Sequence, residues 1–465
     1  MAAIITEKFR KNNAKAIYDE IQSDSQVYYV GLGKNDPWVD DGNSLLYDVP
    51  VGSSYQATDV QLNLIAMKKV LKNEVQFVIP RVDFSVGKAY KVWDPGDSNC
   101  WYATGALLPA YAVVSGHLYL CVEKGSSAGN TSVTPDPAVD VIGTRTSGLQ
   151  EDNYRWVRVQ SNVNITTGSP VSPLFSSKWY PIFKIASPSN TETNGKVIRI
   201  AVLNTNSAGY TTTNSVVIHG DGNAGLTATA TASGTGSPLT SITFDYTSGN
   251  NANYTFANIL DSSIAGTHTV KAQTRVIVAP KGGFGADNLA VFPTWFLGFP
   301  CTFNGTGLSD ESDSQGWFIN GEGSLTDYRQ ISLIRNPTFT RATPGNHITT
   351  LSRATYSGVT PVAGGFIVNG TTGARVYVDY VNTAGLKVYY HFSYSSYSLT
   401  CEELTAGTYT AYQPDGTTSI GSITISNIVA PEYSKGSGDV IFYENRAPIV
   451  RNSAQAEDIK VVIQF

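Results

Sequence analysis

The chain has 465 residues, with 32 Lys and Arg against 37 Asp and Glu, a formal net charge of −5. That length predicts two to four domains, and the acidic balance leaves little support for duplex binding or a DNA-packaging role. Gly, Ser, Thr, Asn and Tyr are abundant and helix-favouring Met is scarce, a balance that suits strands and turns. The four cysteines, Cys100, Cys121, Cys301 and Cys401, lie far apart with no Cys-x-x-Cys spacing. They predict free buried thiols in a reducing compartment rather than a zinc or redox motif. The N-terminus is too short in apolar residues for a signal peptide. No run approaches the ~20 apolar residues of a membrane span. The expectation is a soluble protein made in a cytoplasm.

Two helices are expected first. One covers 9–22, with Phe9, Ala16, Ile17 and Ile21 near helical spacing. The other covers 59–72, with Thr58 as N-cap, Gln61 three residues on, and Val60, Leu64, Met67 and Leu71 on one face. Lys68, Lys69 and Lys72 would then lie where the helix dipole favours cations. From 75 onward the pattern is β. VQFVIP, HLYLCVEK, NYRWVRVQ, WYPIFKI, KVIRIAVL, TRVIVAP, ISLIRNP, ARVYVDYV, KVYYHFSY and IKVVIQF all read as strands. The last alternates, with Ile459, Val461, Ile463 and Phe465 on one face. A loop at 125–150 is predicted to be irregular, and a loop of that length is often functional. Region 197–290 reads as a small all-β module, and 345–430 as a small barrel or sandwich.

Several motifs invite a chemical reading that their context denies. Gly220, Gly222 and Gly225 spell G-x-G-x-x-G after an apolar strand, with Asp245 twenty residues on. A dinucleotide site needs a helix at the third glycine, whereas LTATATASGTGSPL follows, so a β-turn is expected. Gly125, Ser127 and Gly129 match a nucleophile elbow, but NTSVTPDP cannot supply the helix. Asp310, Glu311 and Asp313 crowd one loop without EF-hand spacing: Ser312 and Ser314 carry no carboxylate, and Gln315 and Gly321 stand where glycine and glutamate are required. A solvated acidic loop is the reading there, and whether it holds a structural ion is open. His117, His219, His268, His347 and His391 are scattered singly, so packed or hydrogen-bonded roles are expected rather than metal ligation. Trp93, Trp101, Tyr102 and Trp156 suit core or interface anchoring more than stacking on a sugar.

Five stretches stand in one order: ITEKFR (5–10), VYYVGLGKNDPW (27–38), FVIPRVDF (77–84), YRQISLIRNP (328–337) and GDVIFYENRAPIVRNSAQAEDIKVVIQF (438–465). In that order they resemble the baseplate wedge subunit, gene product eight type, of T-even-like contractile-tailed bacteriophages. The resemblance covers roughly the first 180 residues and about 70 of the C-terminal ones. Regions 197–290 and 345–430 have no counterpart in the smaller T-even member and read as insertions.

The resemblance implies a mainly β fold of stacked sheets or a β-sandwich core, with two peripheral helices near the N-terminus and two inserted all-β modules. Its parts are expected at 1–196 (core with helices), 197–290 (module), 291–344 (core strands), 345–430 (module) and 431–465 (closing strands). It implies a structural, non-enzymatic wedge component of the virion tail baseplate, assembled in the host cytoplasm. It also implies a homodimer that bridges wedge proteins of the gene product ten, seven and six types and moves with them during sheath contraction. No catalytic residue, cofactor, metal, nucleic acid or membrane is implied. The candidate interface or core-organising residues are Trp38, Arg81, Arg329, Tyr443, Glu444, Asn445 and Arg446. Pro448 removes a ladder donor, so the strand carrying the last four is expected to end there or run at an edge. The main alternative is a host-glycan-binding adhesin or receptor-binding module of the tail, and a second is a tail-associated hydrolase, for which the sequence offers no convincing catalytic set. Host, insert partners and exact interface residues are not readable from the sequence.

Overall fold

A computed structural model describes residues 6–35, 37–38, 54–124, 129–135, 154–162, 172–183, 194–204, 206–303, 327–340, 344–392, 403–450 and 457–465. The fold is mainly β, with several separate sheets and three short to medium helices among the described residues. The chain divides into two compact units. One comprises Met1–Ala14, Gln76–Gly298 and Ile463–Phe465; the other comprises Lys15–Val75 and Phe299–Val462.

The first helix, Glu7–Gln22, forms as expected and stops where Asp24 turns to a left-handed φ of 56°. Its buried residues are Ala14 and Ile21, whereas Phe9 is 54% exposed, so the stripe expected through Phe9 and Ala16 is displaced. The second helix is a correction. It spans Ser54–Leu62 and ends there, and Leu64–Lys69 is a β-strand. Thr58 lies inside that helix, and Lys68 is buried against Glu74 at 2.6 Å instead of facing a helix end. The physical reason is burial on both faces: Leu64 through Lys68 are all buried, and a strand covered on both sides has no period to read.

In the unit containing Lys15–Val75, an antiparallel sheet runs in the order His347–Thr349, Leu64–Lys69, Tyr28–Gly33, Tyr328–Arg335, Asp439–Ile449. Every residue of Tyr28–Gly33 is buried. Gly31 is required for close approach: a Cβ there would lie 2.5 Å from Leu64 Cδ2 and 2.7 Å from Ser332 Oγ. The same unit holds a closed six-stranded antiparallel barrel of Ser352–Gly358, Lys387–Phe392, Arg375–Asn382, Phe366–Val368, Gly407–Tyr412 and Ser419–Val429, in that spatial order. Ile367, Val376, Val378, Val388, Tyr390, Ile423 and Ile425 fill its interior. Closure removes free edges from this segment.

In the unit containing Gln76–Gly298, Tyr111–Val114, His117–Lys124 and Tyr154–Ser161 form a three-stranded sheet over Tyr90, Tyr119, Tyr154 and Trp156. Gln76–Pro80 pairs with Trp179–Ile182 and with Phe296–Gly298. A third group of strands, from Val197 to Val278, has its own apolar core that includes Tyr210, Ile218, Leu226, Ile242 and Ile264. Its first strand, Val197–Val202, pairs with its last, Thr274–Val278, so the chain enters and leaves at adjacent points. The closing strand of the chain is Glu457–Gln464, with Ile459 and Val461 buried as the alternation required.

Candidate functional site

The strand Tyr28–Gly33 is followed by Lys34, which adopts φ 55° and donates its backbone N–H to Asn63 O at 2.9 Å. Lys34 and Asn35 are 4% and 3% exposed. The Lys34 ammonium sits over the Trp38 ring, 4.5 Å from its centroid. Trp38 Nε1 donates to the backbone oxygen of Arg446 at 3.0 Å. Arg329 Nη1 donates to Asn35 O at 2.6 Å, and its other terminal nitrogen lies 3.6 Å from Asp327. Beside Arg329, Gln330 Nε2 donates to Asn445 Oδ1 at 2.8 Å.

Among the described residues the strand Asp439–Ile449 pairs with Tyr328–Arg335 alone and so stands at the edge of the sheet, in line with Pro448. Its register shifts: Gln330 pairs with Asn445 and Tyr328 with Ile449, so residues 446–448 stand opposite the single residue Arg329, two more than a regular ladder holds. Glu444 is exposed opposite Ile331, and Tyr443 is half-buried opposite Ser332.

Four of the seven candidates, Trp38, Arg329, Asn445 and Arg446, are thus joined by direct hydrogen bonds or by adjacent positions on paired strands. Tyr443 and Glu444 lie on the same edge strand. Arg81 belongs to the other unit, where it pairs with Asp83 at 2.8 Å, donates to Ser176 O at 3.0 Å and stacks 4.8 Å over Phe175.

Sequence reasoning missed two residues of this junction, Asn35 and Asp379, whereas His391, expected to be packed or hydrogen-bonded, is both. Asn35 lies in the quoted VYYVGLGKNDPW stretch, yet only Trp38 was singled out there. Its Nδ2 donates to Asp379 Oδ1 at 2.9 Å, and Asp379 Oδ2 lies 2.8 Å from His391 Nδ1. Both barrel side chains are buried, Asp379 at 4% and His391 at 1%. The available signal was a lone carboxylate in the apolar run ARVYVDYV and a lone histidine in KVYYHFSY, since buried charges require partners.

The remaining motifs resolve structurally. Gly220–Gly225 is a strand end and turn with no helix after it. Asp221 accepts from the Thr255 and Phe256 backbone amides and from the Thr255 hydroxyl, which holds its carboxyl down to about 2. His117 bonds Ser161 at 2.7 Å and His268 bonds Asp261 at 2.8 Å. Trp93 and Trp156 are core residues, whereas Trp101 is half-buried and Tyr102 is 44% exposed. Burial pushes the Cys100 thiol up to about 11 and the Cys301 thiol up to about 12. The elbow residues 125–128, the acidic loop 310–313 and Cys401 lie outside the described residues. Among the described residues no group of three or more His, Cys, Asp or Glu is placed to hold a metal ion. No described helix is long and apolar enough to cross a membrane.

Fold and junction together describe a mainly β protein in which motifs distant in sequence meet at a buried structural tie. Residues 3–93, about a fifth of the chain, match the family model of Bacteriophage T4 Gp8, the baseplate wedge gene product 8 family. The matched segment contains ITEKFR, VYYVGLGKNDPW and FVIPRVDF; the 328–337 and 438–465 stretches lie beyond it. No curated protein matches the chain. The family match supports a structural role in a phage tail baseplate.

Proposed function

We propose that the protein is a wedge subunit of a contractile-tail baseplate, a homodimer that bridges neighbouring wedge proteins and moves with them when the sheath contracts. The observation that supports this most is the family match over 3–93, because it includes the Asn35 and Trp38 stretch on which the buried junction is built. The edge strand Asp439–Ile449, which carries Tyr443, Glu444, Asn445 and Arg446, is the candidate contact surface. The wedge proteins expected as partners are of the gene product ten, seven and six types, and assembly takes place in the host cytoplasm.

Two measurements test the reading. Light scattering of the purified chain at micromolar concentration should give a dimer; a stable monomer across that range contradicts it. Arg446→Ala should impair dimer or wedge assembly. Its backbone oxygen, which receives Trp38, is kept by the substitution, so only the side chain is tested. Particles of this variant that assemble normally and remain infectious would remove the edge strand from the contact.

A further inference from the structure

We infer that the six-stranded barrel is a positioning brace for the sheet edge: Asp379 holds Asn35, and through it the Trp38–Arg446 bond that seats the bulged end of the edge strand.

The brace begins with a local irregularity. Across the barrel pair Arg375–Asn382 and Lys387–Phe392, Val378 faces Tyr390 while Tyr380 faces Tyr389, so Asp379 is the extra residue of a β-bulge. Bulges re-aim side chains. Here both carboxylate oxygens are used in different directions, Oδ2 within the barrel to His391 and Oδ1 outward to Asn35. A carboxylate only 4% exposed is tolerated where each oxygen has a partner. The pair therefore fixes the position of the Asn35 amide, and not merely the barrel wall.

Asn35 is held from its other side as well, since Arg329 donates to its backbone oxygen. Arg329 lies on the strand that pairs with the edge strand. Lys34, buried in its left-handed conformation, caps the Trp38 ring. Trp38 then donates to Arg446 O, inside the 446–448 bulge where the register of the sheet shifts. An indole N–H on the carbonyl of a bulge residue is a contact that the pairing of the sheet alone would not supply. The path from barrel to edge is continuous: His391, Asp379, Asn35, Lys34 and Trp38, Arg446, with Arg329 and Asp327 flanking it. This inference does not depend on the baseplate reading, because it concerns the folded chain alone.

Amide hydrogen exchange on the full-length chain tests it. Asn35→Ala leaves every barrel residue in place. It should lower protection of 27–34 and 442–449 by about tenfold or more, with protection of 366–368 and 407–412 unchanged. Asp379→Ala should lower protection of the same two segments. The double variant should lose no more there than Asp379→Ala alone, because both changes cut one path. Faster exchange confined to residues next to position 35, or additive losses in the double variant, would overturn the brace. If Asp379→Ala does not fold, the 442–449 response to Asn35→Ala decides alone.

Discussion

Asp94 offers the sharpest test of how the strand group Val197–Val278 is held. Its side chain is 9% exposed and faces two guanidinium groups: Arg275 Nη1 at 2.6 Å and Arg199 Nη2 at 3.5 Å. Arg199 also donates to Trp93 O at 3.0 Å, and burial pushes its guanidinium below the usual range while Asp94 opposes that. Asp94→Asn keeps the shape and removes the charge, leaving Arg199 buried without its counter-ion. Removing one partner of a buried pair costs about 3–5 kcal/mol. The Arg275 contact is 35% exposed and screened by water, so its share is small. An expected loss of about 2–4 kcal/mol follows, a roughly 30- to 900-fold change in the local opening equilibrium. A two-unit chain has no single unfolding free energy, so the assay is hydrogen exchange on peptides covering 89–97, 197–202 and 274–278. Arg275→Ala should change the same peptides by less than about 1 kcal/mol. A loss below about 0.5 kcal/mol for Asp94→Asn would refute the claim that this charge, and not apolar packing, fastens the strands.

Four further outcomes are expected. Gly31→Ala drives a methyl against Leu64 and Ser332 in a fully buried strand, so it should destabilise that sheet by about 1–3 kcal/mol, read by exchange of 28–33; unchanged protection would show that the sheet yields freely. Replacing 197–278 by a short glycine linker should leave the remainder folded, because the first and last strands pair and the enclosed core is self-contained; loss of cooperative unfolding elsewhere would make these residues part of the host core. His347 has its pKa lowered, chiefly by burial. The unfolded chain then binds the proton more readily, so stability is full above the ordinary value near 6.5 and falls as pH drops below it. His347→Gln should flatten the decline in exchange protection of 347–349 between about pH 7.5 and 5.5, and an unaltered slope would contradict the assignment. The Asp221 and Asp415 carboxyls, held down to about 2 by threonine hydroxyl and amide donors, should stabilise their turns above pH 4 and lose that contribution between about pH 4 and 2; retention of turn protection at pH 2 in exchange measurements would contradict this.

The strands of this protein were largely legible before any coordinates. HLYLCVEK, ARVYVDYV and the terminal IKVVIQF are runs of β-branched and aromatic residues bounded by turn residues, and local pattern suffices for such runs. Pro448 announced an edge because a missing N–H is a property of the residue itself. Leu64–Lys69 was misread as helix because burial on both faces erases periodicity, and what covers a strand is not written within it. The junction shows the same division. Trp38, Arg329, Asn445 and Arg446 could be named from motifs, but their partnership could not. Asn35 meets Asp379 across 344 positions of chain, and Asp379 points outward only because a bulge shifts the register of one barrel strand against its neighbour. Sequence determined which segments would be strands and which residues were unusual in them. Tertiary structure alone decided which of those residues meet, because register, bulges and closure of the barrel depend on pairing between distant segments.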